Sequence, residues 1–183
     1  MQFQPVKIVL KDGRTAILRS PVIEDAADML AYLQASTAQT RFMAREPDEA
    51  KQMTLEQEER FIRAQLDQER TVLLVALVDG KLAGVSHLTP ISGMRRMRHR
   101  CTLAVGIDRA YWGVGLGRAM MCALLDAAMT LGYEQAELEV VTTNERAVRL
   151  YKSLGFEVCG TLPRNMTYAD GSYADLYAMI RYL

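Results

Sequence analysis

Cysteine is scarce in this chain of 183 residues and badly placed for any covalent or metal-based scaffold: Cys101, Cys122 and Cys159 are an odd set, scattered and without a C-x-x-C pair. They read as small core hydrophobes, which argues against both a disulfide framework and a zinc site. An excess of charge is missing too. The 22 Lys plus Arg balance 22 Asp plus Glu, so no overall field recruits nucleic acid or an anionic membrane. No apolar run approaches the length of a membrane span, and Met1 to Pro5 carries neither the basic nor the apolar segment of a signal peptide. A cytoplasmic protein is expected. Linkers, low-complexity tracts and internal repeats are likewise absent. Half of the residues are hydrophobic, enough for one well-buried core and short for two, so residues 1–183 are expected to form a single domain.

What the chain does contain is an alternation of strand and helix patterns. Residues from Lys7 to Leu18 read as a strand pair bent at Asp12-Gly13, followed by a helix over Val22 to Ala35. Arg41 to Thr54 is polar and irregular, and Leu55 to Leu66 returns to a helical pattern. Thr71 to Val78 and Lys81 to Thr89 form a hairpin across Asp79-Gly80, a dipeptide suited to the tightest hairpin turn. Arg98 to Ile107 supplies the central strand, and a helix runs from Leu116 to Leu131. Ala136 to Val141 is a further strand, and Phe156 to Leu162 and Tyr173 to Arg181 close the chain as an antiparallel pair across Asp170-Gly171. The pattern predicts an α/β fold: a mixed, mostly antiparallel twisted sheet with a central parallel β-α-β crossover and helices on both faces.

The segment Tyr111-Trp112-Gly113-Val114-Gly115-Leu116-Gly117-Arg118 places three alternate glycines between the central strand and a long apolar helix. Glycine lets the backbone approach a bulky anion, and the helix then aims its unpaired N–H groups and positive dipole end at it. A P-loop needs Gly-Lys-Ser/Thr, and Gly117-Arg118-Ala119 does not supply it. A G-x-G-x-x-G fingerprint fails in both registers, because Arg118 or Met120 stands at its last glycine. What remains resembles the acyl-coenzyme A loop of the GCN5-related N-acetyltransferases, Gln/Arg-x-x-Gly-x-Gly/Ala. Gly115 and Gly117 match it, and Trp112 stands at the Gln/Arg position. Further on, Asn144, Ala147, Tyr151, Gly155 and Phe156 fit the family's second motif, Asn-x-x-Ala-x-x-x-Tyr-x-x-x-Gly-Phe, at every marked position. Here Asn144 reads as a helix N-cap and Gly155 as a C-cap, with Ala147, Leu150, Tyr151 and Leu154 on one face.

The resemblance implies transfer of an acetyl group from acetyl-CoA, without a metal, to a primary amine of a small metabolite, amino acid or peptide N-terminus by direct attack. It implies that Trp112, Gly113, Val114, Gly115, Leu116, Gly117 and Arg118 cradle the coenzyme, together with Asn144 and Tyr151. A backbone N–H among Val105, Gly106 and Ile107 would meet the developing oxyanion where the family's sheet splays open. Tyr151 would sit beside the coenzyme sulfur and assist its departure. Many relatives carry a glutamate on the central strand, but Thr102 occupies that place here. Glu46, Glu49, His87 and His99 are the remaining candidates for a base, each equally readable as an ordinary surface or strand residue. The acceptor pocket is expected from Glu24 to Glu59 and Arg164 to Tyr177, with Phe42, Met43, Tyr168, Tyr173 and Tyr177 as wall residues. The strip Arg95-Arg96-Met97-Arg98-His99-Arg100 is the one local run of positive charge. It reads as a solvated hairpin end, a grip on the coenzyme's 3′-phosphate, a site for an acidic acceptor, or an RNA contact. Two other functional readings stay open: a coenzyme A-binding regulatory or assembly module that has lost catalysis, and a nucleotide-using phosphate-site enzyme. A homodimer is plausible on general grounds, without an interface signature.

Overall fold

Asp79 and Gly80 both take positive φ, 50° and 76°, the conformation of a two-residue hairpin turn whose twist matches its strands. That turn joins β3 (Val72–Val78) to β4 (Lys81–Pro90), and Val78 pairs with Lys81 directly across it. Every residue of β3 except Leu77 is buried, the pattern of a strand covered on both faces. The computed structural model describes residues 2–183. Among them are six further strands: β1 (Val6–Val9), β2 (Thr15–Arg19), β5 (Arg100–Ile107), β6 (Gln135–Val141), β7 (Glu157–Thr167) and β8 (Tyr173–Tyr182). All eight strands join in one sheet, ordered β1-β2-β3-β4-β5-β6-β8-β7. Only β5 and β6 run parallel, and every other neighbouring pair is antiparallel.

Among the described residues five α-helices accompany the sheet: α1 (Ala26–Gln39), α2 (Pro47–Gln52), α3 (Leu55–Leu66), α4 (Leu116–Thr130) and α5 (Glu145–Ser153). α1 and α3 lie over β3 and β4, burying Ala26, Met29 and Ile62 against Leu73 and Val75. α4 and α5 lie on the opposite face. There Met121, Leu124, Leu125, Val148 and Tyr151 pack with Val72, Leu74, Cys101, Leu103, Leu138 and Val140. The start of α4 continues this core under the first hairpin, where Leu116 and Met120 meet Leu10, Ala16 and Leu18. α4 is the crossover between the two parallel strands, as a right-twisted sheet requires.

Several boundaries differ from the sequence reading for local reasons. The first helix begins as a 3-10 turn over Ile23–Asp25 and runs on to Gln39, four residues past Ala35. The polar segment after it is not wholly irregular, because Pro47 at the first helical position and a reciprocal Glu46/Glu49 capping box nucleate α2. β7 continues past Leu162 to Thr167 through an irregularity at Arg164, a non-glycine residue with φ of 52°. The C-terminal strand β8, and not β7, is the one inserted beside β6.

Candidate active site

The two parallel strands pair only at Arg100↔Gln135, Cys101↔Ala136 and Thr102↔Glu137. Beyond Thr102, β5 stays paired to β4 as far as Ile107, and β6 stays paired to β8 as far as Val141. The second half of each strand thus has no partner on its facing edge, and a slot opens between Leu103–Ile107 and Leu138–Val141. Main-chain groups lining such a slot are not committed to a neighbouring strand and can bond water or an occupant.

The glycine loop closes one end of the slot. β5 ends at Ile107, and a single 3-10 turn over Arg109–Tyr111, capped by the Asp108 carboxylate on the Ala110 N–H at 2.8 Å, leads into it. Trp112 bends back to donate its indole N–H to the Ile107 carbonyl at 2.8 Å, with the Arg146 guanidinium 4.9 Å from its ring centroid. Trp112 therefore fixes the loop to the strand end instead of offering a side chain like the usual Gln or Arg. Gly113 and Gly115 have φ of 83° and 94°, values at which a Cβ is strained. Gly115 is the left-handed N-cap of α4. A Cβ on Gly117 would lie 3.0 Å from Ile107 Cδ1 and 3.3 Å from Leu150 Cδ2, so the third glycine lets α4 start close to both β5 and α5. Around Gly113 there is open space.

The side chains of the other expected coenzyme residues are mostly committed elsewhere. Leu116 is wholly buried, and Val105, Ile107 and Val114 pack against the core, which leaves their main-chain groups for a ligand. Gly106 has no side chain because the Tyr32 hydroxyl would lie 2.8 Å from its Cβ. Arg118 donates to Ser153 Oγ at 2.6 Å. Asn144 Oδ1 accepts the Ala147 N–H at 3.2 Å, the N-cap of α5, and Gly155 ends that turn with φ of 84°.

Tyr151 lies on the buried face of α5, 7% exposed, edge-on to Phe156 with ring centroids 6.1 Å apart. Burial alone pushes its phenol up to about 12. It therefore stays protonated at any physiological pH, with its O–H available to donate.

On the opposite sheet face the register groups Thr102, Ala104 and Gly106 with Glu137 and Glu139, since their neighbours Cys101, Leu103, Ala136 and Leu138 face α4. Ala104, in the middle of the central strand, is exposed, and it marks the floor of an open groove. His87 pairs with Ala104 and shares this face, and burial pulls its imidazole below the usual range. Glu137 is held by Arg100 and Gln135. Glu139, two residues past the last β5–β6 pair, is exposed and makes no ion pair among the described residues. The sequence reading missed Glu139 by seeking an acid on the central strand. The alternation Glu137-Leu138-Glu139-Val140 was the available signal, because it turns both carboxylates away from the core.

The other candidates are dispersed. Glu46 accepts the Ala169 N–H at 3.3 Å, and Glu49 accepts the Glu46 N–H at 2.9 Å. His99 lies before β5, its carbonyl accepting from Glu134 and Gln135. The arginine strip sits at that same end. β5 spans eight residues, about 25 Å at 3.3 Å per residue, so the strip and the glycine loop occupy opposite ends of the strand. A 3′-phosphate grip is not supported by that placement. Arg100 pairs with Glu137, and the Arg98 carbonyl accepts from Arg70.

A cavity of about 860 Å³ adjoins the slot, walled by the α1–α2 loop, the β7–β8 hairpin and Trp112. Phe42, Met43, Tyr168 and Tyr173 line it, and Tyr177 does not. The two loops are stitched together. Arg41 reaches Asp170 at 3.0 Å and Ser172 Oγ at 2.9 Å, and the Tyr168 hydroxyl donates to the Arg41 carbonyl at 3.0 Å.

The sheet is thus parted between its two parallel strands, beside a glycine-rich helix mouth and a buried tyrosine. The sequence matches the acetyltransferase (GNAT) family over residues 33–156, and the chain belongs to that family. It is similar to the L-amino acid N-acetyltransferase of Escherichia coli, 31% identical over 110 residues that cover 59% of this chain and 66% of that protein. In that case, and against an uncharacterized Mycobacterium leprae protein of which it covers 20%, the chain spans less than two thirds of the relative's length. A GNAT acetyltransferase structure from Streptococcus pneumoniae superposes with a TM-score of 0.85 at 29% identity, covering 92% of this chain and 99% of that one. A Salmonella typhimurium acetyltransferase structure containing acetyl-CoA superposes with a TM-score of 0.79 at 21% identity, over 91% of this chain and 92% of that one.

Proposed function

We propose that the chain is an acetyl-CoA-dependent N-acetyltransferase acting on a primary amine, and that the carrying observation is the parting of β5 from β6 between the glycine loop and Tyr151. The slot fits a pantetheine arm, whose amides can bond the unpaired strand edges as a further strand would. The Gly113–Arg118 amides and the α4 dipole fit the diphosphate. The Salmonella structure with acetyl-CoA, of the same fold, supports this reading.

In the reaction the amine lone pair attacks the thioester carbonyl carbon, a C–N bond forms, the C–S bond breaks and one proton leaves the nitrogen. A main-chain N–H among Val105, Gly106 and Ile107 meets the developing oxyanion, and the Tyr151 hydroxyl donates to the departing sulfur. Glu139, on the open face next to the slot, takes the amine proton directly or through water. The need for a base depends on the acceptor. At pH 7 an α-amine with pKa near 7.8 is neutral in roughly a tenth of molecules, whereas a lysine-like amine is neutral in under about one in a thousand. The amino acid acceptor in the name of the Escherichia coli relative supports an α-amine.

Thr102 at the position where many relatives carry an acid favours a second reading, a coenzyme-binding module without catalysis. Free thiol release from acetyl-CoA over a panel of amino acids, peptides and polyamines separates the two. Saturable, acceptor-dependent release supports the enzyme, and tight coenzyme binding with no release from any acceptor contradicts it.

A further inference from the structure

The glycine loop lacks the lysine of a P-loop, and its one basic side chain, Arg118, is bonded to Ser153. The fold brings a different cation to the same place. The turn between β1 and β2 is seated on the loop: the Lys11 N–H donates to the Val114 carbonyl at 2.9 Å. Leu10, 4% exposed, anchors the turn in the same core as Leu116 and Met120. From that fixed backbone the Lys11 stem lies across the N-cap of α4. Its Cγ, Cε and Cδ are 3.6, 3.8 and 4.0 Å from where a Gly115 Cβ would stand, and the ammonium is one bond beyond Cε. Lys11 is exposed and has no ion pair among the described residues, while the adjacent Asp12 carboxylate is taken by Arg14 at 2.6 Å. A helix terminus offers only about half a positive charge, too little to balance the two negative charges of a diphosphate diester.

We propose that Lys11 is a phosphate-binding residue that completes the diphosphate cradle from the first hairpin. The proposal rests on the acetyl-CoA reading above. At Gly115 the absence of a side chain permits the left-handed N-cap, and the lysine stem passes that position at ordinary van der Waals distance.

The test is isothermal titration of coenzyme A and of 3′-dephospho-coenzyme A into the wild type, Lys11→Gln and Lys11→Arg at one ionic strength, with melting temperatures recorded in parallel. Lys11→Gln should raise Kd about tenfold for both ligands, as loss of one charge-assisted bond does. Lys11→Arg should stay within about threefold of the wild type. Both variants should melt with the wild type, because the anchoring contacts belong to the main chain and to Leu10. Equal Kd for wild type and Lys11→Gln overturns the assignment while leaving the acetyl-CoA reading intact. A loss seen with coenzyme A and absent with the dephospho form also overturns it, since the lysine would then hold the 3′-phosphate. Failure of the wild type to bind either ligand overturns the acetyl-CoA reading together with this one.

Discussion

Thr102 and Glu137 are the last residues paired between β5 and β6. Their partnership sets the geometry of the site, because everything N-terminal to them is ordinary parallel sheet and everything beyond them is an open edge. Arg100, bonded to the Glu137 carboxylate, fastens the two strands just before they part. The slot therefore has one closed end, at Thr102 and Glu137.

Tyr151 is expected to act as a hydrogen-bond donor and not as a full proton donor. With its phenol pushed up to about 12 by burial, proton transfer to an alkyl thiolate near 8.5 is uphill by about 5 kcal/mol. Loss of one bond to developing charge is worth about 1.5–3 kcal/mol. Tyr151→Phe should therefore lower kcat between about 10-fold and 150-fold with little change in coenzyme affinity. Steady-state kinetics beside calorimetry checks this, and an unaltered kcat removes Tyr151 from the mechanism.

Gly115→Val should abolish measurable coenzyme binding while leaving the fold in place. A β-branched residue at φ of 94° is strained by about 1–3 kcal/mol, and its methyls would push into the Lys11 stem, the nearest neighbour of that position. Thermal melting should show a loss of a few degrees, and titration should show no saturable heat. A variant that binds coenzyme A normally would show that close backbone approach at this glycine is not what the ligand requires.

For Glu139, removal of the carboxylate should cost about 10²-fold in kcat at pH 7, the range for a general base. The deficit of Glu139→Gln should shrink as pH rises, because a larger fraction of the acceptor is then neutral without help. A parallel offset from wild type at every pH would assign Glu139 a merely positional role.

Much of this was legible in the sequence, and the illegible parts share one cause. Local rules place Asp79-Gly80 in its turn, Asn144 and Gly155 at the two ends of α5, and Leu55 to Leu66 in α3, because each signal lies within a few residues of its effect. Long-range geometry is not written locally. That the β5–β6 pairing stops at Thr102, while β5 stays with β4 and β6 with β8, involves strands far apart in the chain. That β8 and not β7 lies beside β6 is likewise a long-range pairing. The turn at Lys11 meets the loop at Val114 only once the first hairpin has packed on α4. For Glu139 the outward direction was legible in the alternation with Leu138 and Val140, but its place beside an open strand edge follows from where the β5–β6 pairing ends.

Acid should loosen the first helix through Asp25. Burial alone would raise this carboxyl, but Arg19 at 2.6 and 2.8 Å and the Val22 N–H at 2.7 Å outweigh it and hold it below the usual carboxylate range. A depressed folded pKa means that the stabilisation is complete above the unfolded value near 3.9 and is lost as pH falls through the folded one. Asp25→Asn should therefore cost about 1.5 kcal/mol at pH 7, with the gap from wild type closing below about pH 4. Urea unfolding at pH 7 and pH 3 checks this, and a gap equal at both contradicts it.

A crystal structure grown with acetyl-CoA tests the central claim most directly. The diphosphate should lie on the main-chain amides of Gly113 to Arg118, and the pantetheine arm should run between β5 and β6 with its sulfur within hydrogen-bonding reach of the Tyr151 hydroxyl. A coenzyme bound elsewhere, with the slot between Leu103–Ile107 and Leu138–Val141 left vacant, would contradict the account.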